Sequence, residues 1–378
     1  MMKGEVCESA FNKRIFAYNK DKVTLLKDMF TYDSLKKVAL AIRSNYEVFQ
    51  VEDFLNSVID DTWDALELKA RGRKISTSLR KYLPSDYQST LFILEKSVKG
   101  FSYAYFFPDF IEAYGQDDWD ISINALERNT EYWSSELAIR HFIIKDEKRM
   151  MKQMYYWSKH ENEHVRRLAS EGCRPQLPWG LTIPNLKKDP TPILPILEQL
   201  KTDTSLYVRK SVANNINDIS KTHPDIVIKM AKEWYGKNED TNWIVKHGCR
   251  TLLKKGNREV LEIFGYNDAS SINIDNLKLE KKVISIGENN TFTFTISSEK
   301  STKVRLEYGI DYVKTNGKRN RKIFKISEVT LKENEKKNYS RKQSFLDVST
   351  RKHYPGKHSI VLIVNGMERG SLDFDLTK

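Results

Sequence analysis

The sequence predicts a mainly α protein, a solenoid of two-helix repeats followed by a small β-sandwich. Up to about residue 262, apolar residues recur at three- and four-residue spacing, which is typical of amphipathic helices. From about Ser271 the period becomes alternating, as in strands. A length of 378 residues also exceeds what one ordinary domain needs. We therefore expect a helical domain over residues 1–265 and a β-domain over residues 271–378.

Helices are predicted for several stretches of the first domain, among them "DTWDALELKARGRKISTSLRKYL" and "TPILPILEQLKTD". The next helix, "LYVRKSVANNINDIS", has Thr204 or Ser205 available as its N-cap, and "KTHPD" is expected to end it. Its last turns hold Asn214, Asn215 and Asp218, which are poor helix formers, so we expect polar contacts that compensate for them.

Four segments of the helical part resemble one another: "ELAIRHFI", "EHVRRLAS", "LYVRKSVA" and "NWIVKHGC". Their aligned apolar residues, Ile139, Val165, Val208 and Val245, lie 26, 43 and 37 positions apart, as in two-helix repeats with insertions. Cations follow each aligned residue and would line a groove suited to a duplex backbone. These cations are Arg140, Arg166, Arg167, Arg209, Lys210 and Lys246. Alternatively, the cations pair with local acids such as Glu136 and Glu163.

Short strand-like runs fill the last hundred residues, among them "TFTFTIS", "KVRLEYGI" and "SIVLIV". The pairs Asn316-Gly317 and Asn365-Gly366 stand between such runs, which is a strong hairpin signal. Seven or eight short strands in this length predict a β-sandwich. The absence of cysteine from this part excludes an antibody-type disulfide.

Composition favours a soluble protein of a reducing compartment. Apolar residues make up 39% of the chain and charged residues 30%, and no apolar run is long enough to cross a bilayer. The first residues lack the apolar core of a secretory signal, and Cys7, Cys173 and Cys249 are few and widely spaced. We therefore expect a cytoplasmic location.

The positive charge is concentrated in the predicted β-domain. The chain has a net charge of +12, and residues 271–378 hold 22 lysines and arginines against 13 aspartates and glutamates, a net +9. A phosphate-rich partner would interact most strongly with this part, and the hairpin "KTNGKRNRKIFK", with Lys318 and Arg319, is the candidate contact. A merely soluble basic surface is the alternative.

The run His160-Glu161-Asn162-Glu163-His164 matches H-E-x-x-H, the pattern of a zinc-binding helix with a glutamate general base. The polar residues between the histidines contradict a buried zinc helix. The run is better interpreted as a turn entering a helix, with Asn162 or Ser158 as cap. We therefore expect no metal and no cofactor, and a zinc hydrolase remains a minor alternative.

The following arginine-rich helix should end near Glu171-Gly172, because glycine commonly follows a helix C-terminus. A carboxylate in the last turn opposes the helix dipole, so Glu171 suggests either a functional site or a salt bridge to Arg167 or Arg174. The next stretch, "CRPQLPWG", contains two prolines and predicts a shaped loop that carries Trp179. Such a tryptophan either anchors a core or stacks in a nucleic-acid groove.

The segments "WSSELAIRHFI", "HENEHVRRLASEGCRPQLPWG" and "YVRKSVANNINDIS" together resemble the AlkC branch of the alkylpurine DNA glycosylases, which are built from HEAT-like repeats. In the first of them, Ser134 or Ser135 would cap a helix with Glu136 in its first turn. The resemblance covers most of the first 265 residues, and the β-domain resembles the immunoglobulin-like domain of some members.

This resemblance implies a monofunctional glycosylase that acts on double-stranded DNA and removes cationic alkylated bases, 3-methyladenine and also 3-methylcytosine, with the lesion left largely stacked. By motif it assigns Glu171, Asp218 and Glu136 as catalytic carboxylates and Trp179 as the lesion contact. Arg174 joins the predicted DNA-binding cations, and a monomer is expected. The alternative function is a non-catalytic helical scaffold that binds DNA or protein.

Overall fold

The computed structural model describes residues 25–101, 103–267, 269–348 and 351–378. The N-terminal residues that bear on a secretory signal, together with Cys7, lie outside these ranges. Within them, none of the helices is long and apolar enough to cross a membrane. The chain divides into two compact units, Met1–Thr222 and His223–Lys378.

The described part of the first unit consists of helices joined by short turns and a few 3₁₀ segments. Its helices are α1 (Tyr32–Asn45), α2 (Val51–Val58), α3 (Leu68–Tyr82), α4 (Tyr87–Val98), α5 (Phe106–Tyr114), α6 (Trp119–Asn129), α7 (Ile139–Lys145), α8 (Glu147–Trp157), α9 (Glu163–Gly172), α10 (Pro184–Lys188), α11 (Leu194–Leu200) and α12 (Leu206–Ile219). The two stretches quoted above as predicted helices contain α3 and α11. Each of them begins with a 3₁₀ turn, at Trp63–Ala65 and at Thr191–Ile193.

The aligned apolar residues of the repeats lie where the helices meet. Ile139, Val165 and Val208 are at most 2% exposed and belong to α7, α9 and α12. Helix α9 packs against both α8 and α12. Each repeat therefore buries its apolar face on a neighbouring repeat, as a helical solenoid requires.

In the described residues of the second unit there are four helices and eight strands. The helices are α13 (Pro224–Trp234), α14 (Glu239–Gly248), α15 (Arg250–Lys254) and α16 (Arg258–Ile263), and the strands are β1 (Ile272–Leu279), β2 (Val283–Ser285), β3 (Asn289–Ser298), β4 (Thr302–Val313), β5 (Arg319–Leu331), β6 (Lys336–Ser344), β7 (Gly356–Val364) and β8 (Met367–Thr377). Helix gives way to strand between α16 and β1, where the sequence predicts the change.

Two sheets form the predicted β-sandwich. The strand orders are β1-β3-β6 and β2-β8-β7-β4-β5, with the short β2 parallel to β8. Apolar side chains of both sheets, such as Phe292, Ile310 and Leu362, share one buried core. Both predicted hairpins form: Asn316-Gly317 joins β4 to β5, and Asn365-Gly366 joins β7 to β8. Positive φ at Asn365 (46°) and Gly366 (79°) gives the I′-type turn expected of this pair.

The end of the helical part of the second unit contacts this sandwich at the β7–β8 turn. The Asn365 side-chain amide donates to the carbonyl oxygen of Asn267 at 2.9 Å. Gly366 lies so close to the helices that a Cβ there would be 2.8 Å from Gly256 Cα and 2.7 Å from Leu261 Cδ1. The boundary between the compact units therefore lies after Thr222. The predicted domain boundary lies between residues 265 and 271, where helices give way to strands.

Candidate active site in the first unit

Glu171 lies in the last turn of α9, as predicted. The helix begins where the Asn162 side chain accepts a hydrogen bond from the His164 amide at 2.8 Å, and it ends at Gly172. Gly172 is required for packing, because a Cβ there would lie 2.6 Å from Ile139 Cγ2. Its φ is not positive, so the predicted reason for this glycine is wrong. Glu171 itself is only 5% exposed.

Arg174 joins Glu171 to Asp218. Its guanidinium donates through Nη1 to Glu171 Oε1 at 2.6 Å and through Nε to Asp218 Oδ2 at 2.8 Å. Asp218 lies on α12, is 3% exposed and also accepts from Lys221 Nζ at 2.8 Å. Two carboxylates from different helices are thus held by one buried cation, and the charge that opposes the α9 dipole is compensated.

A second arginine extends the cluster to Glu136. Arg167 forms an ion pair with Glu136 and lies 3.7 Å from Glu171 Oε1 through Nη2. Its guanidinium also lies over the ring of Tyr207, 4.9 Å from the centroid. Glu136 belongs to a turn before α7 and not to its first turn. The predicted cap does not form, because Ser135 Oγ donates to the Leu126 carbonyl and Ser134 Oγ donates to Glu136.

The five side chains alternate in charge in the order Glu136, Arg167, Glu171, Arg174 and Asp218. Burial opposes ionisation of Glu171, but the charges of Arg167 and Arg174 outweigh it and hold its pKa below the ordinary value. The three carboxylates and two guanidinium groups of this carboxylate cluster sum to a formal charge of −1, which Lys221, paired with Asp218, balances. The sequence-predicted catalytic residues are therefore brought together, with two arginines between them.

Asn215 secures α12 to α9 behind the cluster. Its side-chain amide donates to the Ser170 carbonyl oxygen at 2.8 Å and to Cys173 Sγ at 3.5 Å. These contacts confirm that polar partners compensate for the asparagines of α12. Burial raises the pKa of the Cys173 thiol to about 12, so this thiol stays protonated.

Trp179 is carried by the irregular loop that the two prolines predict. The side chain is 70% exposed and the residue has a φ of 66°, a left-handed conformation that is strained for tryptophan. Lys69 Nζ donates to its carbonyl oxygen at 2.9 Å. An exposed aromatic ring on a strained loop contradicts the core-anchor alternative and suits a ligand contact.

Arg140 supports this loop from inside. Its guanidinium is 0% exposed and donates to the carbonyl oxygens of Gly172, Arg174 and Leu181. Burial lowers its pKa to about 10. The prediction that Arg140 contacts DNA is therefore wrong, because no phosphate can reach a side chain that is fully enclosed. Arg174 is 7% exposed and bound to two carboxylates, so it is a member of the cluster, and its contact with DNA stays a prediction.

Most of the other predicted DNA-binding cations have local partners. Arg166 donates to both oxygens of Asp203, and Arg209 donates to the carbonyl oxygens of Asp203 and Thr204. Lys210 is half-buried. These contacts support the alternative in which the cations pair locally. The expected acids have other partners, however: Glu136 pairs with Arg167, and Glu163 accepts a hydrogen bond from Ser205. For Arg166, Arg167, Arg209 and Lys210, a role in DNA binding stays a prediction.

The second unit has its own basic cluster near the predicted hairpin. Lys318 and Arg319 are exposed, and Arg319 donates to Ser359 Oγ at 2.8 Å. Partial desolvation and the nearby charges of Arg351 and Lys254 lower the pKa of Lys322. Sequence reasoning missed Arg351 and Lys254, which are brought to the hairpin only by folding. Lys246 instead pairs with Glu328 at 2.6 Å within this unit.

The histidines of the H-E-x-x-H run do not share a helical face. His160 precedes α9, and its Nδ1 accepts from the Asn162 amide at 3.0 Å. His164 lies in the helix and packs edge-on against Tyr207. The zinc-helix hypothesis is wrong, since its geometry needs both imidazoles one turn apart. No group of three His, Cys, Asp or Glu side chains arranged for a metal occurs among the described residues.

A cavity of about 580 Å³ opens beside the carboxylate cluster, and sequence reasoning missed it. Glu136 and Trp179 both line it, so two of the predicted site residues share one space. Much of its wall comes from Phe101, Tyr103, Tyr105 and Tyr132, which no motif identified.

Comparisons with known proteins agree with this architecture. The family model described as "DNA alkylation repair enzyme" matches residues 116–252, and that described as "Uncharacterised protein YhaZ, C-terminal Ig-like domain" matches residues 273–378. The uncharacterized protein YhaZ of Bacillus subtilis is 49% identical over 354 residues, covering 93% of this chain and 99% of YhaZ. The alkylpurine DNA glycosylase AlkC of Pseudomonas fluorescens, solved bound to DNA containing an abasic site analog, superimposes with a TM-score of 0.90 at 37% identity. That match covers 94% of this chain and 100% of the AlkC chain.

Proposed function

The chain belongs to the AlkC family of DNA alkylation repair proteins, and from this premise we propose that it is a DNA repair glycosylase specific for cationic alkylated bases. The substrates proposed are 3-methyladenine and 3-methylcytosine in double-stranded DNA. The observation that carries the proposal is the carboxylate cluster, in which all three carboxylates of the family signature meet beside an exposed tryptophan. A cytoplasmic monomer that needs no cofactor is part of the same proposal.

The chemistry follows from the charge of the lesion. Methylation at N3 makes adenine cationic, so the base leaves with the electrons of the glycosidic bond and needs no general acid. Positive charge then develops on the deoxyribose, where an anionic site stabilises it. One carboxylate charge placed about 5 Å from C1′, at an effective dielectric constant of about 20, contributes about 3 kcal/mol, or about a hundredfold in rate.

The carboxylates have different positions in this scheme. Glu136 lines the cavity with Trp179, whereas Glu171 and Asp218 are buried behind it. We assign Glu136 and Trp179 to the lesion nucleotide, and Glu171 with Asp218 to the negative potential and to the positioning of water. Arg167 and Arg174 fix the geometry of all three carboxylates through the ion pairs described above.

The second unit supports a role in holding DNA. Its basic cluster of Lys254, Lys318, Arg319, Lys322 and Arg351 concentrates charge on one hairpin and its neighbours. Phosphate contacts there would offset the free energy of bending a duplex.

Base release from methylated DNA tests the proposal. The purified chain is incubated with DNA treated with a methylating agent, and the released bases are separated by chromatography. We expect free 3-methyladenine from the wild type, and strongly reduced release from Glu171→Gln and Asp218→Asn. A protein that binds DNA with a steep salt dependence and releases no base would instead be a scaffold.

A further inference from the structure

Helix α8 carries a stripe of exposed lysines and tyrosines that lies outside the site described above. Lys148, Lys152, Tyr155 and Tyr156 are exposed on the helix, and Lys159 is exposed in the turn that follows it. Residues spaced three and four apart lie on one side of a helix, and this spacing links each lysine to the next member. These five residues are called the α8 stripe below.

The α8 stripe faces away from the carboxylate cluster. Met150, Met154 and Trp157 belong to the buried side of α8. Met154 reaches the end of α9, because a Cβ on Gly172 would lie 2.9 Å from Met154 Cε. At about 3.6 residues per turn, this buried side lies nearly opposite the stripe around the helix axis. A ligand on the stripe therefore stays clear of Glu171, the neighbour of Gly172.

The lysines of the stripe have no acidic partner among the described residues. Lys148 and Lys152 form neither an ion pair nor a side-chain hydrogen bond there, and the ammonium group of Lys159 lies over the ring of Tyr155, 4.2 Å from its centroid. The neighbouring Arg149, by contrast, is paired with Asp120 at 2.6 Å. Three uncompensated positive charges in one line attract a polyanion.

The tyrosines indicate which polyanion fits. Tyr156 is 66% exposed and Tyr155 is 39% exposed, so both rings stand at the surface beside the lysines. Proteins that bind single-stranded nucleic acid combine cations for the phosphates with aromatic rings on which the bases stack. In a duplex the bases stack on one another, and rings on the outside of a straight helix do not reach them. An acidic peptide would neutralise the lysines but offer no base to the tyrosines.

We propose that the α8 stripe binds a single strand of DNA, with its phosphates on the lysines and its bases on the tyrosines. Lys148 and Lys152 lie about 6 Å apart along the helix axis and Lys159 about 10 Å farther, so a strand running along α8 contacts about three phosphates. The choice of DNA rests on the proposed function, whereas the charges and rings of the stripe do not. The carboxylate cluster stays available to a duplex while the strand is bound.

Strand binding to the full chain tests the proposal. A fluorescent oligothymidylate of about 15 nucleotides is titrated by anisotropy while unlabelled duplex DNA is present at saturation. With about three phosphates neutralised, the slope of log affinity against log salt should be about −2. Lys148→Gln combined with Lys152→Gln should reduce the size of this slope by about 1.4. Tyr156→Ser should weaken binding about tenfold.

A strand of the same length that lacks its bases separates stacking from charge. The wild type should bind this abasic strand about tenfold less tightly than the oligothymidylate, and Tyr156→Ser should have no further effect on it. The lysine variants should weaken both strands alike, because both carry the same phosphates.

Helix α1 offers a matched control. Lys36 lies over the ring of Tyr32, 5.7 Å from its centroid, and Tyr32 is 46% exposed, but Glu52 lies 3.8 Å from the Lys36 ammonium group. Tyr32→Ser and Lys36→Gln should therefore bind the strand as the wild type does. All the variants of the α8 stripe should keep the wild-type kcat/KM for base release from duplex DNA.

Three results would overturn the proposal. The first is complete displacement of the strand by the duplex, and the second is undiminished strand binding by the variants of the stripe. The third is tighter binding of an oligouridylate, of polyglutamate or of phosphatidylglycerol vesicles, lost in the same variants, which would assign the stripe to another partner. Absence of base release by the wild type would refute the glycosylase function, while the strand titration would still decide whether the stripe binds DNA.

Discussion

Replacing Arg174 by glutamine separates a role in the carboxylate cluster from a role in DNA binding. The substitution removes the two charge-assisted hydrogen bonds to Glu171 and Asp218, at 2.6 and 2.8 Å. Such bonds typically contribute about 1.5–3 kcal/mol each. Both carboxylates keep a second cation, Arg167 at 3.7 Å and Lys221 at 2.8 Å, so the loss is reduced. We expect the free energy of unfolding to fall by about 2–4 kcal/mol.

The catalytic effect should be larger than the effect on binding. Freed from Arg174, the two carboxylates can shift, and a displacement of about 1 Å costs about a hundredfold in rate. We expect kcat for base release to fall by about that factor with KM little changed, measured by steady-state assays on a defined lesion duplex. Arg73→Gln is the matched control, because it also removes ion pairs with two carboxylates, Asp109 at 2.9 Å and Glu112 at 2.6 Å, outside the cluster. It should lose stability and keep its kcat.

The salt dependence of DNA affinity shows whether Arg174 contacts a phosphate instead. An arginine that contacts a phosphate contributes about 0.9 to the slope of log affinity against log salt. Arg174→Gln should leave this slope unchanged. A slope reduced by about one unit with kcat intact would refute the positioning role and restore Arg174 as a backbone contact.

Three further predictions concern the loop, the acid range and the second unit. Trp179→Gly should not lower the free energy of unfolding in a denaturant titration, because glycine adopts a φ of 66° without strain, yet it should slow base release at least tenfold; a clear loss of stability would contradict this. The pKa of Glu171 is depressed below its ordinary value of 4.5, so its stabilising contribution is present above that pH and lost only as the pH falls through the lower folded value. The stability difference between wild type and Glu171→Gln should therefore be constant above about pH 5 and shrink on acidification, and a difference that shrinks near neutral pH would argue against it. Lys322→Ala combined with Arg351→Ala should reduce the salt slope of DNA affinity by up to about 0.9 for each phosphate that these side chains neutralise, whereas an unchanged slope would exclude the hairpin from the interface.

Local patterns were sufficient to predict the fold class and the approximate position of most elements. Apolar periodicity identified the helices, and both Asn-Gly turns formed where the chain contains them. The conflict between Glu171 and its helix dipole pointed to a salt bridge, and both candidate partners, Arg167 and Arg174, are found there. These inferences succeeded because each depends on residues close together in the sequence.

The features that the sequence did not predict depend on packing between residues far apart in the chain. Arg140 follows the repeat pattern of a groove cation, but folding encloses it beneath the loop of Trp179, where it donates to three carbonyl oxygens. Gly172 fits a helix end by sequence, yet its role is a close approach to Ile139. The aromatic cavity unites residues from 26 to 179, and no local motif contains that information.

The most direct test of the carboxylate cluster is a double-mutant cycle on base release under single-turnover conditions. Glu171→Gln, Asp218→Asn and the double variant are compared with the wild type on one defined 3-methyladenine duplex. Because Arg174 couples both carboxylates into one charge system, the double variant should be little slower than the slower single variant. Rate losses that multiply in the double variant would show two independent groups and contradict the cluster as the catalytic unit.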